Sequence, residues 1–443
     1  MLRPSMDRTL HRLLAIGLLT FLLLIPQSLV QELIGEREAR KGEAARELQG
    51  SWGGDQVVQG PVLTIPFIHQ VRHKDEKTNE IRILEQREFA HFLPDRLNVT
   101  SQMQPELRYR GIFQFILYQA SLRLEGVFSP IHLTAPGYQV KDILWQEAFL
   151  TLGVTHPKGL RKGVTALWNQ KSIQAEPGSR IGELLSSGIT IPLATVQQGG
   201  NFSISLELNG TNGISFAPVG RENTVNLSSP WPSPNFNGEF LPVSRQIDDK
   251  GFSASWQVLH LNRNYPQEWV GNRYSLHNAL FGVNLLQTVD NYQQSTRAVK
   301  YAMMFIITTF VAFFLVELLH NRRLHPLQYV LVGMALVLFY TLLVAISEHS
   351  TFDIAYGVAA LAVTLLIGGY AKAVLASSRL ALVLVGLLTG LYLSLYFILQ
   401  LEKYALLTGT LELFLLLSAV MYLTRKIDWF DGGGMKDPQD KLS

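Results

Sequence analysis

The chain has 443 residues, 38 Lys and Arg against 35 Asp and Glu, and no cysteine. Zero cysteine excludes disulfides, thiolate metal sites and cysteine nucleophiles, and a formal charge of +3 is too small to argue for nucleic acid. The 47% hydrophobic content is unevenly spread: residues 35–300 carry most of the charge, whereas 301–424 are nearly all apolar.

Residues 1–12 hold Arg3, Arg8 and Arg12 against Asp7, and an apolar run over 13–30 follows, with Pro26 and Gln27 toward its far end, within an expected first span of 13–34. A signal peptide starts the same way, but no small-x-small cleavage site lies near 27–35, so an uncleaved anchor helix is expected. Residues 35–50 are rich in Glu, Arg and Ala with opposite charges three and four apart, which predicts a juxtamembrane helix. The glycines within 50–54 break it.

From 51 to 300 the texture is that of a soluble β domain. Short β-rich runs at 57–68, 80–93, 113–127, 189–194, 202–208, 216–227, 252–259 and 281–289 alternate with turn clusters. Asn209-Gly210 and Asn212-Gly213 read as tight-turn dipeptides. The expected architecture is mainly antiparallel, either as one large sandwich or as two units divided near 177–185.

The apolar runs 301–319 and 327–346, joined by the basic hinge 320–326, form a helical hairpin, each run being roughly the 20 residues a bilayer core requires. Pro326 stands where the second helix would begin and loses nothing there by lacking an N–H. Runs at 352–375, 380–401 and 404–423 complete six spans with the anchor. With the N-terminus inside, Arg3, Arg8, Arg12, Arg322, Arg323, Lys372, Arg379, Arg425 and Lys426 all fall on the cytoplasmic side. Every segment then obeys the positive-inside rule, which places both termini in the cytoplasm and residues 35–300 in the periplasm.

Motifs for chemistry are few. There is no Walker loop, H-E-x-x-H or dinucleotide fingerprint. His69 and His73 are four apart on a predicted strand, about 13 Å, too far to share a metal. Gly213-Ile214-Ser215-Phe216-Ala217 narrowly misses the nucleophile elbow, and its place after an Asn-Gly dipeptide favours a hairpin instead. Four sequons begin at Asn98, Asn201, Asn209 and Asn226. Ionisable groups in or beside the spans are the default candidates. Glu317 lies near the basic hinge, where pairing with Arg322 or Arg323 is expected. Glu412 is about two turns into the last span. Glu348 and His349 end the third span on the external side, where a solvated loop is the plainer reading. Tyr301, Tyr329, Tyr404, Tyr422, Trp429 and Phe430 mark membrane interfaces, and Gly368, Gly369, Gly386, Gly390 and Gly409 permit close helix packing.

Taken together, the motifs resemble the CreD family of inner-membrane proteins. The resemblance is carried by His325-Pro326-Leu327-Gln328-Tyr329, Leu331-Val332-Gly333, Phe339-Tyr340 and Ser347-Glu348-His349. It continues at Ala405-Leu406-Leu407, Gly409-Thr410 and Asp428-Trp429. In the β region Gly60-Pro61, Leu93-Pro94, Arg110-Gly111-Ile112, Trp231-Pro232, Leu241-Pro242, Trp256 and Arg263 match as well. The stretch 131–187 departs from the pattern. The resemblance implies a multi-pass inner-membrane protein of an envelope-stress regulon run by a sensor-kinase and response-regulator pair. It also implies a role in cell envelope integrity, colicin tolerance and the response to β-lactams. It transfers no catalytic or ligand residue.

The expected protein is therefore membrane α-helical, with six transmembrane helices and a large inserted, mainly antiparallel β periplasmic domain. Its expected divisions are 1–12, 13–34, 35–50, 51–300, 301–424 and 425–443. No enzyme activity, metal or cofactor is expected. The partners are the lipid bilayer and a periplasmic or wall-associated partner, with Glu317, Glu348, His349 and Glu412 as polar candidates in the bundle. The alternative is a transporter or flippase of an envelope lipid or precursor, using Glu317 and Glu412.

Overall fold

The computed structural model describes residues 6–74, 81–133, 135, 137–287, 291–320, 324–401 and 405–425. These form two compact units, one helical (Met1–Lys41 with Val289–Ser443) and one of β structure (Gly42–Thr288).

The helical unit starts with α1 (Met6–Leu22) and α2 (Leu24–Trp52). Pro26 accounts for the break at Leu23: its ring presses on the carbonyl four residues back and it offers no N–H. The bonds Leu23 N–H to Leu19 O and Gln27 N–H to Leu23 O carry the helix across. The separate helix expected at 35–50 is instead the later part of α2, because the Glu, Arg and Ala there are strong helix formers and no stop signal precedes Gly53. Next come α3 (Asn291–Lys300), α4 (Ala302–Leu319), α5 (Pro326–Ser347), α6 (Phe352–Leu375), α7 (Ser378–Gln400) and α8 (Ala405–Thr424). Composition grouped residues 291–300 with the β region. They form α3 instead, which buries Ser295, Ala298 and Val299 on one face.

Among the described residues four stretches are long and apolar enough to cross a membrane: Leu14–Trp52, Pro326–Ser347, Phe352–Leu375 and Ser378–Gln400. A fifth results if Tyr292–Lys300 and Ala302–Glu317, which meet at 43°, make one span. The described apolar stretch of α8, Leu407–Tyr422, is shorter. The basic residues of the hinge, Arg322 and Arg323, and the interface residues Tyr404, Trp429 and Phe430 lie outside the described residues. The hinge motif has a local cause. His325 caps α5 by accepting from Leu327 N–H at 3.2 Å, while Gln328 accepts from His325 N–H at 2.9 Å. Pro326 takes the first helical position, as expected.

The β unit holds β1 (Gln56–Lys74), β2 (Ile81–Phe92), β3 (Arg96–Arg110), β4 (Phe113–Phe128), β5 (Gln139–Ile143) and β6 (Phe149–Val154). There follow β7 (Thr165–Trp168), β8 (Lys171–Gln174), β9 (Glu176–Pro177), β10 (Gly188–Pro192), β11 (Gly200–Thr211) and β12 (Gly213–Phe216). The last are β13 (Glu222–Ser229), β14 (Pro234–Gly238), β15 (Ser244–Asp248), β16 (Gly251–Leu259), β17 (Glu268–Val270) and β18 (Phe281–Leu285). A 10-stranded sheet runs β14-β18-β12-β1-β6-β10-β9, with β2, β5 and β17 beside it. An 8-stranded sheet runs β15-β16-β13-β3-β4-β11-β7-β8.

Both sheets feed one hydrophobic cluster. Trp256 of the second sheet lies 5.6 and 5.8 Å from Phe236 and Phe281 of the first, ring centre to ring centre. Because β9 and β10 belong to the same sheet as β1, no boundary falls near 177–185 and the sandwich is single.

Most strand pairs are antiparallel, but β1 with β12 and β3 with β13 are parallel, so both sheets are mixed. The reason lies at Asn212. Strand β11 ends in the 8-stranded sheet and the next residues enter the 10-stranded one, with Asn212 at φ +56° making the corner. The expected hairpin at 213–217 is thus a change of sheet. The predicted strand 216–227 is likewise two strands on different sheets, divided at Pro218-Val219-Gly220. Asn209-Gly210 is no turn: it lies inside β11, opposite Gln119 and Tyr118. Gly210 is needed for space, since a Cβ there would come within 2.3 Å of the Tyr118 hydroxyl. Gly60-Pro61 does not start a strand either. It sits inside β1 where the pairing with β6 shifts register, a position that tolerates a missing donor.

Candidate functional site

The four ionisable candidates of the bundle stand apart. Glu317, near the end of α4, is buried and accepts from the Tyr329 hydroxyl of α5 at 3.2 Å. Glu348 caps the opposite end of α5. It accepts from the Tyr292 hydroxyl of α3 at 3.2 Å and pairs with Arg37 of α2 at 3.4 Å. Its neighbour His349 is exposed in the turn that follows. Glu412, half-buried on α8, takes a hydrogen bond from Ser394 of α7, and its Oε2 has no partner among the described residues. Sequence reasoning missed Arg37 and Tyr292, and it read Tyr329 as a membrane-interface residue, whereas the structure buries it against Glu317. Their partners sit on other helices, in one case more than 300 residues away in the chain, and no local spacing signals that.

An aromatic core joins four helices. Phe339 of α5 lies 5.4 Å from Tyr356 of α6 and 4.7 Å from Tyr392 of α7, while Phe305 of α4 lies 5.4 Å from Tyr392. The Tyr356 hydroxyl donates to Tyr392 O at 2.6 Å. A cavity of about 350 Å³ opens between α6 and α7, bounded by Asp353, Tyr356, Thr364, Thr389, Tyr392 and Tyr396. Its rim is polar, because Tyr396 and Gln400 both donate to Asp353 Oδ1, at 2.9 and 3.1 Å. The hydroxyls of Tyr340 and Tyr392 are buried without partners among the described residues. Neither Glu317 nor Glu412 lines this cavity.

In the β unit the buried polar groups serve as struts. His91 is fully buried, with Nδ1 3.0 Å from the Thr64 hydroxyl and its ring 5.4 Å from Trp269. Burial depresses its pKa from 6.5 to about 4, so the neutral ring is the folded form. Arg263 donates to the carbonyls of Val219 at 3.2 Å and Pro266 at 3.4 Å, to that of Tyr265, and to the Gln267 side chain. Burial lowers its pKa to about 10, leaving it charged at neutrality. Asp55 accepts from Asn212 at 3.0 Å and Thr211 at 3.3 Å. Burial raises its pKa by more than those bonds lower it. His69 lies on β1 with its ring 4.9 Å from Tyr138, and the side chain of His73 falls outside the described residues. Among the described residues no three His, Asp or Glu side chains converge as metal ligands would.

A bundle of long apolar helices, with a mixed β sandwich inserted between the second and third helices of the chain, defines a multi-pass membrane protein with a large extramembrane unit. The chain belongs to the family of the inner membrane protein CreD, whose profile matches residues 8–430. It is similar to the inner membrane protein CreD of Escherichia coli (strain K12), with 34% identity over 420 residues, covering 92% of this chain and 91% of that one. Among solved structures, two of an M1 zinc metallopeptidase from Deinococcus radiodurans overlap 38% of this chain at TM-scores of 0.18 and 0.19 and about 10% identity. Scores that low carry no argument.

Proposed function

We propose that this chain is an inner-membrane anchor for a periplasmic interaction domain that supports cell envelope integrity, within an envelope-stress regulon of the two-component type. Six spans, with α3–α4 as one and α8 as the last, hold both termini in the cytoplasm and the β unit in the periplasm. The positive-inside distribution of Arg and Lys supports that orientation. No catalytic step is assigned to the chain. The observation that carries the reading is the dispersal of Glu317, Glu348 and Glu412. Each meets its own partner on a neighbouring helix. Groups held this way position helices.

The second reading, transport or flipping of an envelope lipid or precursor, is favoured by the cavity between α6 and α7 and by the unpartnered Oε2 of Glu412. One experiment separates the two. A strain lacking its own family member is complemented with the chain carrying Glu317→Gln, Glu412→Gln and His349→Ala together. Detergent and lysozyme sensitivity are scored, and membrane levels are checked by blot. Full rescue is the expected result. Loss of rescue at normal protein levels would transfer the function to the bundle.

A further inference from the structure

The 8-stranded sheet has an outward face whose chemistry changes halfway across. Alternation along β3 turns Asn98, Thr100, Gln102 and Gln104 outward, while Leu97, Val99, Ser101 and Met103 point into the core. Strand register then lines up one row of Gln246, Ser253, Ser228 and Gln102, and a second row of Ser244, Ser255, Asn226 and Thr100. Farther along the same face charged side chains alternate with the neutral Gln119, Ser121 and Ser205, and the charged ones pair. Arg123 pairs with Glu125 at 2.6 Å, Ser203 reaches Glu125 at 3.4 Å, and Lys162 pairs with Glu207 at 2.7 Å. In contrast, none of the eight side chains in the two rows makes a hydrogen bond within the chain among the described residues. In the first row two serines stand between two glutamines, in the second Ser255 and Asn226 stand between Ser244 and Thr100, and together they floor a shallow trough. Two adjoining depressions of about 430 and 540 Å³ occupy it. Charge lies at the rim, at Arg245, Asp248 and Lys250 and at Arg123, the ladder neighbour of Thr100.

We propose that this trough binds a neutral polysaccharide bearing hydroxyl and acetamido groups. This rests on the interaction role proposed above and names its partner. A charged ligand has no counter-charges on the floor, and an apolar one would strand eight polar side chains. A neutral glycan offers donors and acceptors on its flat side, and the sheet repeats its own about every 4.8 Å across strands and every 6.6 Å along them. The amides of Gln102, Gln246 and Asn226 have both donor and acceptor atoms to match acetamido groups. An extended peptide would instead add to the free edge of β15, using backbone groups and leaving the rows idle.

The test is calorimetric titration of the full chain in detergent micelles with chitohexaose, with maltohexaose as a glycan lacking acetamido groups. Saturable binding of chitohexaose is expected, weakened at least about tenfold (~1.4 kcal/mol) by Ser228→Trp, which fills the floor. The double variant Gln102→Ala with Gln246→Ala, confined to exposed walls, is expected to weaken binding about fivefold and guards against misfolding of the tryptophan variant. No saturable binding of chitohexaose, or binding unchanged in both variants, overturns the proposal. So does binding of an extended peptide at β15 in place of either sugar. The same variants are scored in the complemented strain. Loss of rescue without sugar binding refutes the ligand and leaves the interaction role standing, whereas sugar binding with full rescue by variants that no longer bind refutes the role and leaves the ligand.

Discussion

Arg263→Ala is expected to lower the melting temperature of the β unit by about 6–12 °C, from a loss of roughly 3 kcal/mol. The guanidinium ties Pro218-Val219-Gly220, where the chain changes sheets, to the 263–267 loop. Gln267 in turn donates to Pro94 O at 3.1 Å. Removing it leaves the carbonyls of Val219, Tyr265 and Pro266 buried without this donor, and it removes a cation held 4.2 Å from the Tyr265 ring centre. Arg263→Lys is expected to recover less than half of the loss, since one ammonium cannot span the fork that two guanidinium nitrogens fill. Thermal unfolding of purified full-length protein, followed by near-ultraviolet circular dichroism, measures both. A shift below ~2 °C for Arg263→Ala would mean the loops hold without it.

A second large effect concerns acid. The His91 pKa falls from 6.5 to about 4 on folding. Between those values the unfolded chain binds a proton that the folded chain refuses. Stability therefore declines as pH drops below 6.5, and the full cost is reached near pH 4. The cost is on the order of 3 kcal/mol at about 1.4 kcal/mol per pH unit. His91→Gln keeps a side chain able to bond Thr64 but does not titrate. The difference in unfolding free energy between wild type and variant, from denaturant titration, should therefore narrow by that amount from pH 7 to pH 4. Asp55, whose pKa rises on folding, works in the opposite direction, and it cancels because both proteins contain it. A difference that stays constant with pH would show that His91 protonates in the fold as readily as in the unfolded chain.

The long apolar helices were readable because their signals are local, whereas the polar α3 was not. Apolar runs of the right length, a proline after a capping histidine and glycine breaks each act within one or two turns. The sheet connections were not readable, because strand order is decided by partners far apart. The run 216–227 looks continuous in composition, yet only the pairing of β12 with β1 and of β13 with β3 shows that it belongs to two sheets. Strand β3 was missed because its outward side chains include Arg96, Arg108 and Arg110, which dilute the β signal that Leu97, Val99 and Met103 carry inward. Strand β6 was missed for lack of alternation, since it is buried on both faces. The ionisable candidates were found by residue type alone, whereas their partners Arg37, Tyr292 and Tyr329 required the fold. The matching Arg263 and Leu93-Pro94 carried no visible role in the sequence, and the structure gives them one as parts of a single loop clamp.

The parallel pairing of β1 with β12 joins segments about 160 residues apart in the chain, and such non-local contacts form late. During synthesis β1 emerges long before its neighbours β12 and β18 exist. At 5–20 residues per second, the span from β1 to β18 takes roughly 10–50 s to make. Throughout that interval Val58, Val62, Ile65 and Phe67, all destined for the core, are without their final covering. The nascent β unit is thus expected to need holding factors during that interval. Its yield should depend more on their supply than on the final stability of the sandwich.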